Sequence, residues 1–301
     1  MQKVSVVIVN WNTGRLLARC LATLCAVPDT TCVAKVVVVD NASTDHSLAV
    51  ARERLERLHC TVPVTFLRQK TNTGFARATN IGIASAERNT HVLLLNPDTE
   101  VLPGALEALV AAAERDAHVA IVGPKLLNAD HTVQPSVRSF PSLAALAWLF
   151  LKLHCPLPTA PWWRRYIRPD FNYEQERVVD QVMGAAFLVH HQALRALGTF
   201  DVRFWLWFEE VDYCKRAHDA GWKVLYTPAA QIVHHGAASF NQLVGFKRTV
   251  PFLTSALYYA RKHLGHLRSV LLLLLFPLAV LLSIPSLVAH VSWRQKNKTR
   301  L

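Results

Sequence analysis

Asp98 follows an apolar run at 92–95 and the turn signal Asn96-Pro97. An apolar run bounded by a turn reads as a buried strand, so its carboxylate is delivered to the mouth of a sheet. A hard oxygen ligand in that place suits Mg²⁺ or Mn²⁺ carrying a diphosphate. Asp40-Asn41 repeats the layout after the run at 36–39. Two acidic strand ends feeding one crevice point to a nucleotide site. Asn72-Thr73-Gly74-Phe75 opens a helix after a strand, where N–H groups could receive phosphate or belong to a capped tight turn. Phe208-Glu209-Glu210-Val211-Asp212 puts three carboxylates around a helix start. The helix dipole alone favours acids there; a carboxylate placed to deprotonate an acceptor hydroxyl is the chemical alternative. His234-His235-Gly236 follows a short strand expected at 230–233. A histidine there could complete a metal shell with Asp98 or be a satisfied polar residue near a loop.

Positioning these groups falls to alternating strands and helices between residue 4 and about 127. Strands are expected at 4–9, 36–39, 64–67, 92–95 and 119–122. Leu17, Cys20, Leu21 and Leu24 mark one helix face. Ser43 is placed to cap a second helix carrying Leu48, Ala51, Leu55 and Leu58. A third helix is expected at 75–86, and a fourth at 104–115 with Pro103 in its first turn. Repeated βα units imply an α/β fold with a mostly parallel sheet flanked by helices. Ligands of such sheets bind outside the carboxyl ends of the strands, where Asn10, Asp40 and Asp98 fall. Further on, 182–189 reads as one strand and 210–220 as a helix ended by Gly221.

Composition narrows the partners. The chain has 301 residues, a formal charge of +12 and 51% hydrophobic residues. The basic excess gathers at Arg294, Lys296, Lys298 and Arg300, at Arg261-Lys262 and at Arg164-Arg165, beside apolar stretches. Anionic lipid explains that placement better than nucleic acid, which is not expected as a partner. Residues 270–291 carry no Lys, Arg, Asp or Glu, a length that could span a bilayer. Pro277 and Pro285 interrupt it and basic clusters flank both sides, so a re-entrant hairpin, a kinked in-plane helix and a buried helical pair remain alternatives. Trp162-Trp163-Arg164-Arg165-Tyr166 reads as an interfacial anchor or as a surface loop. The six cysteines show no metal spacing, and reduced structural thiols are expected. The first strand lacks both the G-x-G-x-x-G turn and a Gly-rich phosphate loop, which counts against nicotinamide and S-adenosylmethionine enzymes and against nucleotidyltransferases.

In chain order the motifs Val-Asn-Trp-Asn (9–12), Val-Asp-Asn-Ala-Ser-Thr-Asp (39–45), Asn-Thr-Gly-Phe-Ala (72–76), Leu-Asn-Pro-Asp-Thr (95–99), Met-Gly-Ala-Ala (183–186), Gly-Thr-Phe-Asp (198–201), Phe-Glu-Glu-Val-Asp (208–212) and His-His-Gly-Ala-Ala-Ser (234–239) resemble family 2 glycosyltransferases of GT-A fold. The likeness is to the bacterial rhamnosyltransferase-like branch in particular. It implies a GT-A domain over 1–265, with a nucleotide-sugar half to about 127 and an acceptor half over 128–265. A membrane-associated apolar segment with a basic tail would follow over 266–301.

Residue by residue, the resemblance implies that Asp40 reads the nucleobase and that Asn10 lies beside the nucleotide, in a site that includes Asn41, Asn72 and Gly74. Asn96-Pro97-Asp98 takes the place of the family's Asp-x-Asp motif, which leaves Asp98 as the metal ligand and Asn96 where the first acid usually stands. Glu210 takes the place of the Asp in the family's Glu-Asp pair and becomes the candidate base. His234 matches the family histidine at the metal or diphosphate. The implied cofactor is Mg²⁺ or Mn²⁺. The implied partners are a nucleotide-sugar donor, with dTDP-rhamnose favoured, and a glycan or lipid-linked acceptor at the cytoplasmic face of the inner membrane. A UDP-sugar donor and a non-catalytic membrane scaffold are the rival readings.

Overall fold

The computed structural model describes residues 2–26, 32–236 and 245–283. β1 (Val4–Asn10) and β2 (Val33–Asp40) are valine-rich and almost wholly buried. Branched side chains suit a pleated strand covered on both faces, because they have little rotamer freedom to lose. α1 (Arg15–Ala26) joins them and buries Leu17, Cys20, Leu21 and Leu24 against the sheet. α2 (Ser47–Arg57) leads to β3 (Val64–Arg68), and α3 (Phe75–Ala84) to β4 (His91–Leu95). β5 (Thr99–Val101), α4 (Ala105–Glu114) and β6 (Val119–Leu127) complete the first half.

The second half contains β7 (Val137–Arg138), α5 (Leu143–Phe150), α6 (Pro161–Ile167), β8 (Arg177–Val179), β9 (Gln181–Val182), β10 (Ala186–Val189) and α7 (His191–Leu197). It continues through α8 (Glu209–Asp219), β11 (Lys223–His234), α9 (Phe246–Tyr259), a π-helical turn at Ala260–Leu264 and α10 (His266–Leu281).

The main sheet runs β3-β2-β1-β4-β10-β6-β11-β5, with β8 also on β11. The parallel arrangement holds from β3 to β4. Beyond β4 the sheet is mixed: β10 is antiparallel to both β4 and β6, while β11 is parallel to β6 and antiparallel to β5 and β8. The cause is local. The stretch expected as one strand at 182–189 breaks at Met183–Ala185, so β9 pairs with β7 in a separate ribbon and β10 enters the sheet against β4. The expected strand at 230–233 is the end of the long β11.

Three further expectations are corrected. Ser43 does not cap α2, which starts at Ser47 after His46; its hydroxyl accepts from the Asn12 N–H at 2.9 Å instead. Pro103 precedes the αL residue Gly104 and lies outside α4. Cys25 and Cys60 are disulfide-bonded, near the ends of the packed pair α1 and α2, whereas Cys20, Cys155 and Cys214 remain thiols.

A third apolar cluster, away from the sheet, unites α5, residues 204–211, α9 and α10. α10 buries Leu272 and Ala279 in it and leaves Leu267, Leu271, Leu274, Leu278 and Leu281 exposed at alternating four- and three-residue spacing, one continuous stripe. Among the described residues no helix is long and apolar enough to cross a membrane. Pro277 lies inside α10, while Pro285 and the basic tail lie outside the described residues.

Candidate active site

Asn10 and Asp40 are paired across β1 and β2 in register. Asn10 is fully buried, and its amide nitrogen donates to Asp40 Oδ1 at 2.8 Å, with Ser43 Oγ and Ser47 Oγ each at 3.0 Å. Its carbonyl oxygen accepts from the Thr13 hydroxyl. Asp40 Oδ2 accepts from the Ser43 N–H at 3.3 Å, and Arg68 Nε stands 3.7 Å away. These two residues therefore lie beneath the strand ends and hold the loops, while Val9, Trp11 and Asn41 line the crevice above them.

Asn41 ties that crevice to the next segment. Its amide donates to Asn72 Oδ1 at 3.0 Å and to the Gly74 carbonyl at 3.2 Å, and it accepts from the Thr73 N–H at 2.9 Å. Gly74 has φ +83°, and a Cβ there would fall 2.5 Å from the Trp205 carbonyl oxygen, so glycine is required on two grounds. The Phe75 N–H, at the start of α3, donates to that same carbonyl at 2.7 Å. The tight-turn reading thus describes residues 72–75, and the leading N–H of α3 is already engaged. Trp205 and Leu206 wall the crevice opposite Asn96, Pro97 and Asp98.

The β5–β11 pairing builds the metal candidate. His234 faces Thr99 in register, the His235 N–H donates to the Asp98 carbonyl at 2.9 Å, and His234 Nε2 comes 3.4 Å from Asp98 Oδ1. Both residues are buried, at 8% and 6% exposure. His234 Nδ1 lies 2.7 Å from Gln134 Oε1 and donates to it, which in the neutral ring puts the lone pair on Nε2, an atom with no hydrogen-bond partner. A covered imidazole nitrogen beside a carboxylate oxygen fits a divalent cation, with the outer partner fixing the tautomer of the neutral ring. His235 points the other way and pairs with Glu100.

A second group of histidines lacks that preparation. His91, His190 and His191 have ligand atoms within 4.8 Å of one another at the opposite end of β4. His91 Nδ1 accepts from the His191 N–H and His190 Nδ1 from the Gln192 N–H, each at 3.2 Å, so in the neutral rings both Nε2 atoms carry protons. Burial and the neighbouring rings lower the His91 imidazole to about 4.

A second, larger crevice adjoins the first at Phe75 and Asn96. It encloses about 1140 Å³, open solvent at its mouth included. Glu210 enters it from the first turn of α8, behind Trp207 (φ +65°) and Phe208 (φ +68°). Two consecutive aromatic residues in the left-handed region cost on the order of 1–3 kcal/mol each, and such strain concentrates at functional sites. Gly184 packs beside Glu210: a Cβ there would lie 3.4 Å from Glu210 Cβ and Cγ, at van der Waals contact. One carboxyl oxygen on each of Glu209 and Glu210 is buried without a hydrogen-bond partner. Burial pushes both carboxyls up, and Glu209 rises further because Glu210 lies beside it.

Asp212, two residues on, is of another kind. Burial alone would raise it, but His263 and Lys262 reach its Oδ1 at 2.7 and 2.6 Å and hold it below the usual carboxylate range. Sequence reasoning missed Gln134, Ser136, Arg138, Trp205 and Trp207, which have no motif of their own and reach the site through tertiary packing.

The strand order, with crevices at the carboxyl ends of β1 and β4, places the molecule in the GT-A class of mixed α/β folds. Within that class the chain belongs to glycosyl transferase family 2, whose family pattern matches residues 5–198. It is 29% identical over 278 residues to the N-acetylglucosaminyl-diphospho-decaprenol L-rhamnosyltransferase of Mycobacterium tuberculosis, in the CDC 1551 / Oshkosh strain and in H37Rv alike. That match covers 88% of this chain and 86% of the relative. GalNAc-T7 solved with UDP, GalNAc and Mn²⁺ superposes with a TM-score of 0.59 at 18% identity, over 78% of this chain and 43% of that longer one. The mannosyltransferase PcManGT from Pyrobaculum calidifontis, in complex with GDP-Man and Mn²⁺, gives 0.58 at 17% identity, over 97% and 75%.

Proposed function

We propose that this glycosyltransferase moves L-rhamnose from dTDP-rhamnose to a lipid-linked N-acetylglucosaminyl diphosphate, with inversion at the anomeric carbon. The observation that carries the reading is the junction of two crevices at Asn96. Asp98 lies on one side of it, and Glu210 and His234 lie on the other, the last two with unpartnered buried atoms. The relative from M. tuberculosis supports the sugar and the acceptor by its name.

Trp11, Asn41, Asn72 and Gly74 form the walls for the nucleoside, with Asn10 and Asp40 fixing the loop that presents Asn41. Asp98 and His234 would hold a divalent cation. When bound, the cation offsets the charge that develops on the leaving diphosphate. The raised carboxyl of Glu210, once ionised, takes the proton of an acceptor hydroxyl. The freed oxygen attacks the anomeric carbon from the face opposite the diphosphate. The bond to the nucleoside diphosphate breaks, and that group leaves with the electron pair. One base suffices, and no glycosyl-enzyme intermediate forms.

The exposed leucine stripe of α10 suits a place in the interfacial plane at the cytoplasmic face of the membrane. This geometry lets a soluble catalytic domain reach an acceptor whose lipid stays in the bilayer.

The test is thermal unfolding of detergent-purified protein with dTDP, UDP or GDP, each with and without Mn²⁺, followed by transfer assays with the matching nucleotide sugars. Selective ligands of the folded state raise its stability by RT ln(1 + [L]/Kd). A metal-dependent shift largest with dTDP is expected. A shift with UDP alone would replace the donor. Folded protein that responds to no nucleotide would overturn the reading in favour of a scaffold.

A further inference from the structure

The second crevice contains a cation that the transfer chemistry above does not use. β7 pairs with β9, Val137 facing Val182 and Arg138 facing Gln181. Successive residues of an extended chain point to opposite sides. Val137 accordingly turns into the core at 0% exposure, while Ser136 and Arg138 both line the crevice that holds Glu210. Among the described residues the Arg138 side chain makes no hydrogen bond or ion pair; its guanidinium lies 5.7 Å from the centre of the Tyr166 ring, and its charge opposes the upward push of burial on the Glu210 carboxyl. Ser136 is 4% exposed, and its hydroxyl has no hydrogen-bond partner. A buried hydroxyl without a partner is destabilising, and a polar ligand in the crevice would supply the missing hydrogen bond.

The remaining wall is aromatic: Phe75, Tyr166, Trp207 and Phe252 face the same space. Sugar rings present apolar faces that such side chains cover, and neither Glu209 nor Glu210 calls for an anionic ligand near it. The fixed guanidinium fork is the group that best matches phosphate oxygens. Tyr166 belongs to α6, which exposes Trp162 and carries Arg164 and Arg165. Phe252 belongs to α9, which exposes Phe246 and Val250 on its way to the leucine stripe of α10. The crevice thus joins an aromatic sugar wall, a guanidinium with no salt-bridge partner among the described residues and two helices with exposed apolar residues, the sequence of groups that a sugar–diphosphate–lipid requires.

Resting on the transfer reading above, we infer that Arg138 and Ser136 form the subsite for the diphosphate of the acceptor. Arg138 spans phosphate oxygens, Ser136 donates its hydroxyl, and together they set the acceptor sugar with one hydroxyl toward Glu210. Both act by binding and positioning.

The experiment compares Arg138→Ala, Arg138→Lys and Ser136→Ala with wild type on two synthetic acceptors. One is an N-acetylglucosaminyl diphosphate on a short prenyl chain, and the other is N-acetylglucosamine on a neutral alkyl chain of similar length. Melting temperature and metal-dependent nucleotide binding verify each variant's fold and donor site. Arg138→Ala is expected to raise the KM for the diphosphate acceptor at least about tenfold more than for the neutral one. Arg138→Lys should fall between, and Ser136→Ala should show a smaller preference for the same acceptor.

Equal losses on both acceptors would overturn the subsite, as would lost nucleotide binding, which would assign Arg138 to the donor. So would a moved pH profile with unchanged acceptor KM, which would make Arg138 a neighbour that tunes Glu210. Wild type that prefers the diphosphate acceptor while Arg138→Ala keeps that preference overturns the subsite alone. Wild type that transfers to neither acceptor overturns the transfer reading and the subsite with it.

Discussion

The two crevices that meet at Asn96 are built on opposite principles. In the first, polar side chains satisfy one another: Asn10 with Asp40, Ser43 and Ser47, and Asn41 with Asn72 and the Gly74 carbonyl. In the second, Ser136, Glu209, Glu210 and His234 each keep a buried atom without a hydrogen-bond partner. A satisfied network rigidifies its loops, whereas an unsatisfied one costs stability until a ligand fills it. The first crevice is a preformed seat, and the second is a set of groups kept ready for chemistry. Substitutions should therefore divide cleanly, with losses of fold or affinity on one side and losses of turnover on the other.

The largest effect tests the second crevice. Glu210→Gln should lower kcat by about 10²–10⁴-fold, the usual worth of a positioned base, and leave nucleotide binding intact. Because burial raises the Glu210 carboxyl, the wild-type rate should fall on the acid side at a pH above the ordinary glutamate range of about 4.3. A variant with equal turnover would remove Glu210 from the role and leave the crevices undivided. At their junction, Asp98→Ala should abolish the Mn²⁺-dependent part of nucleotide affinity. Gln134→Ala, which frees His234 Nδ1, should weaken Mn²⁺ binding by about 10–100-fold, measured by metal titration of the nucleotide complex.

The first crevice should respond in stability. Asn10→Ala leaves Asp40 Oδ1, Ser43, Ser47 and Thr13 short of a partner inside the fold. The expected loss is about 1–3 kcal/mol in urea unfolding without nucleotide, and weaker nucleotide binding should accompany it. A variant as stable as wild type, with only kcat reduced, would reverse the division.

This division also explains what the sequence could show. The first crevice sits where strands end, so apolar runs closing on Asn10, Asp40 and Asp98 announce it, and α3 and β4 appear within a residue or two of their expected bounds. Pairing across elements was less legible. Asp40 carries a motif, yet only its contact with Asn10 shows that Asn41 and Trp11 line the crevice above it. The order of β10, β6 and β11 depends on a break at Met183–Ala185 that apolar periodicity passes over. Gln134, Ser136 and Arg138 lie in and beside the short strand β7, whose two residues have no period to read. The Cys25–Cys60 bond likewise depends on how α1 packs on α2, which spacing along the chain does not encode.

The smallest expected effect is the sharpest check, because it is a gain. Glu209 is 5% exposed, with one carboxyl oxygen unpartnered and the Glu210 carboxyl beside it. Burial first and Glu210 second raise its folded pKa above the unfolded value. Any stability this group lends is therefore complete below the unfolded value of about 4.3, and is lost as pH rises through the folded one. Glu209→Gln removes the charge, so the variant should exceed wild type by about 1 kcal/mol in urea unfolding near neutral pH and match it in acid. Glu209 is raised further than Glu210 and is still protonated when Glu210 ionises, so the acid limb of the rate should stay in place. A Glu209→Gln protein less stable than wild type at neutral pH would mean that this carboxylate is satisfied in the folded state, and the second crevice would then resemble the first.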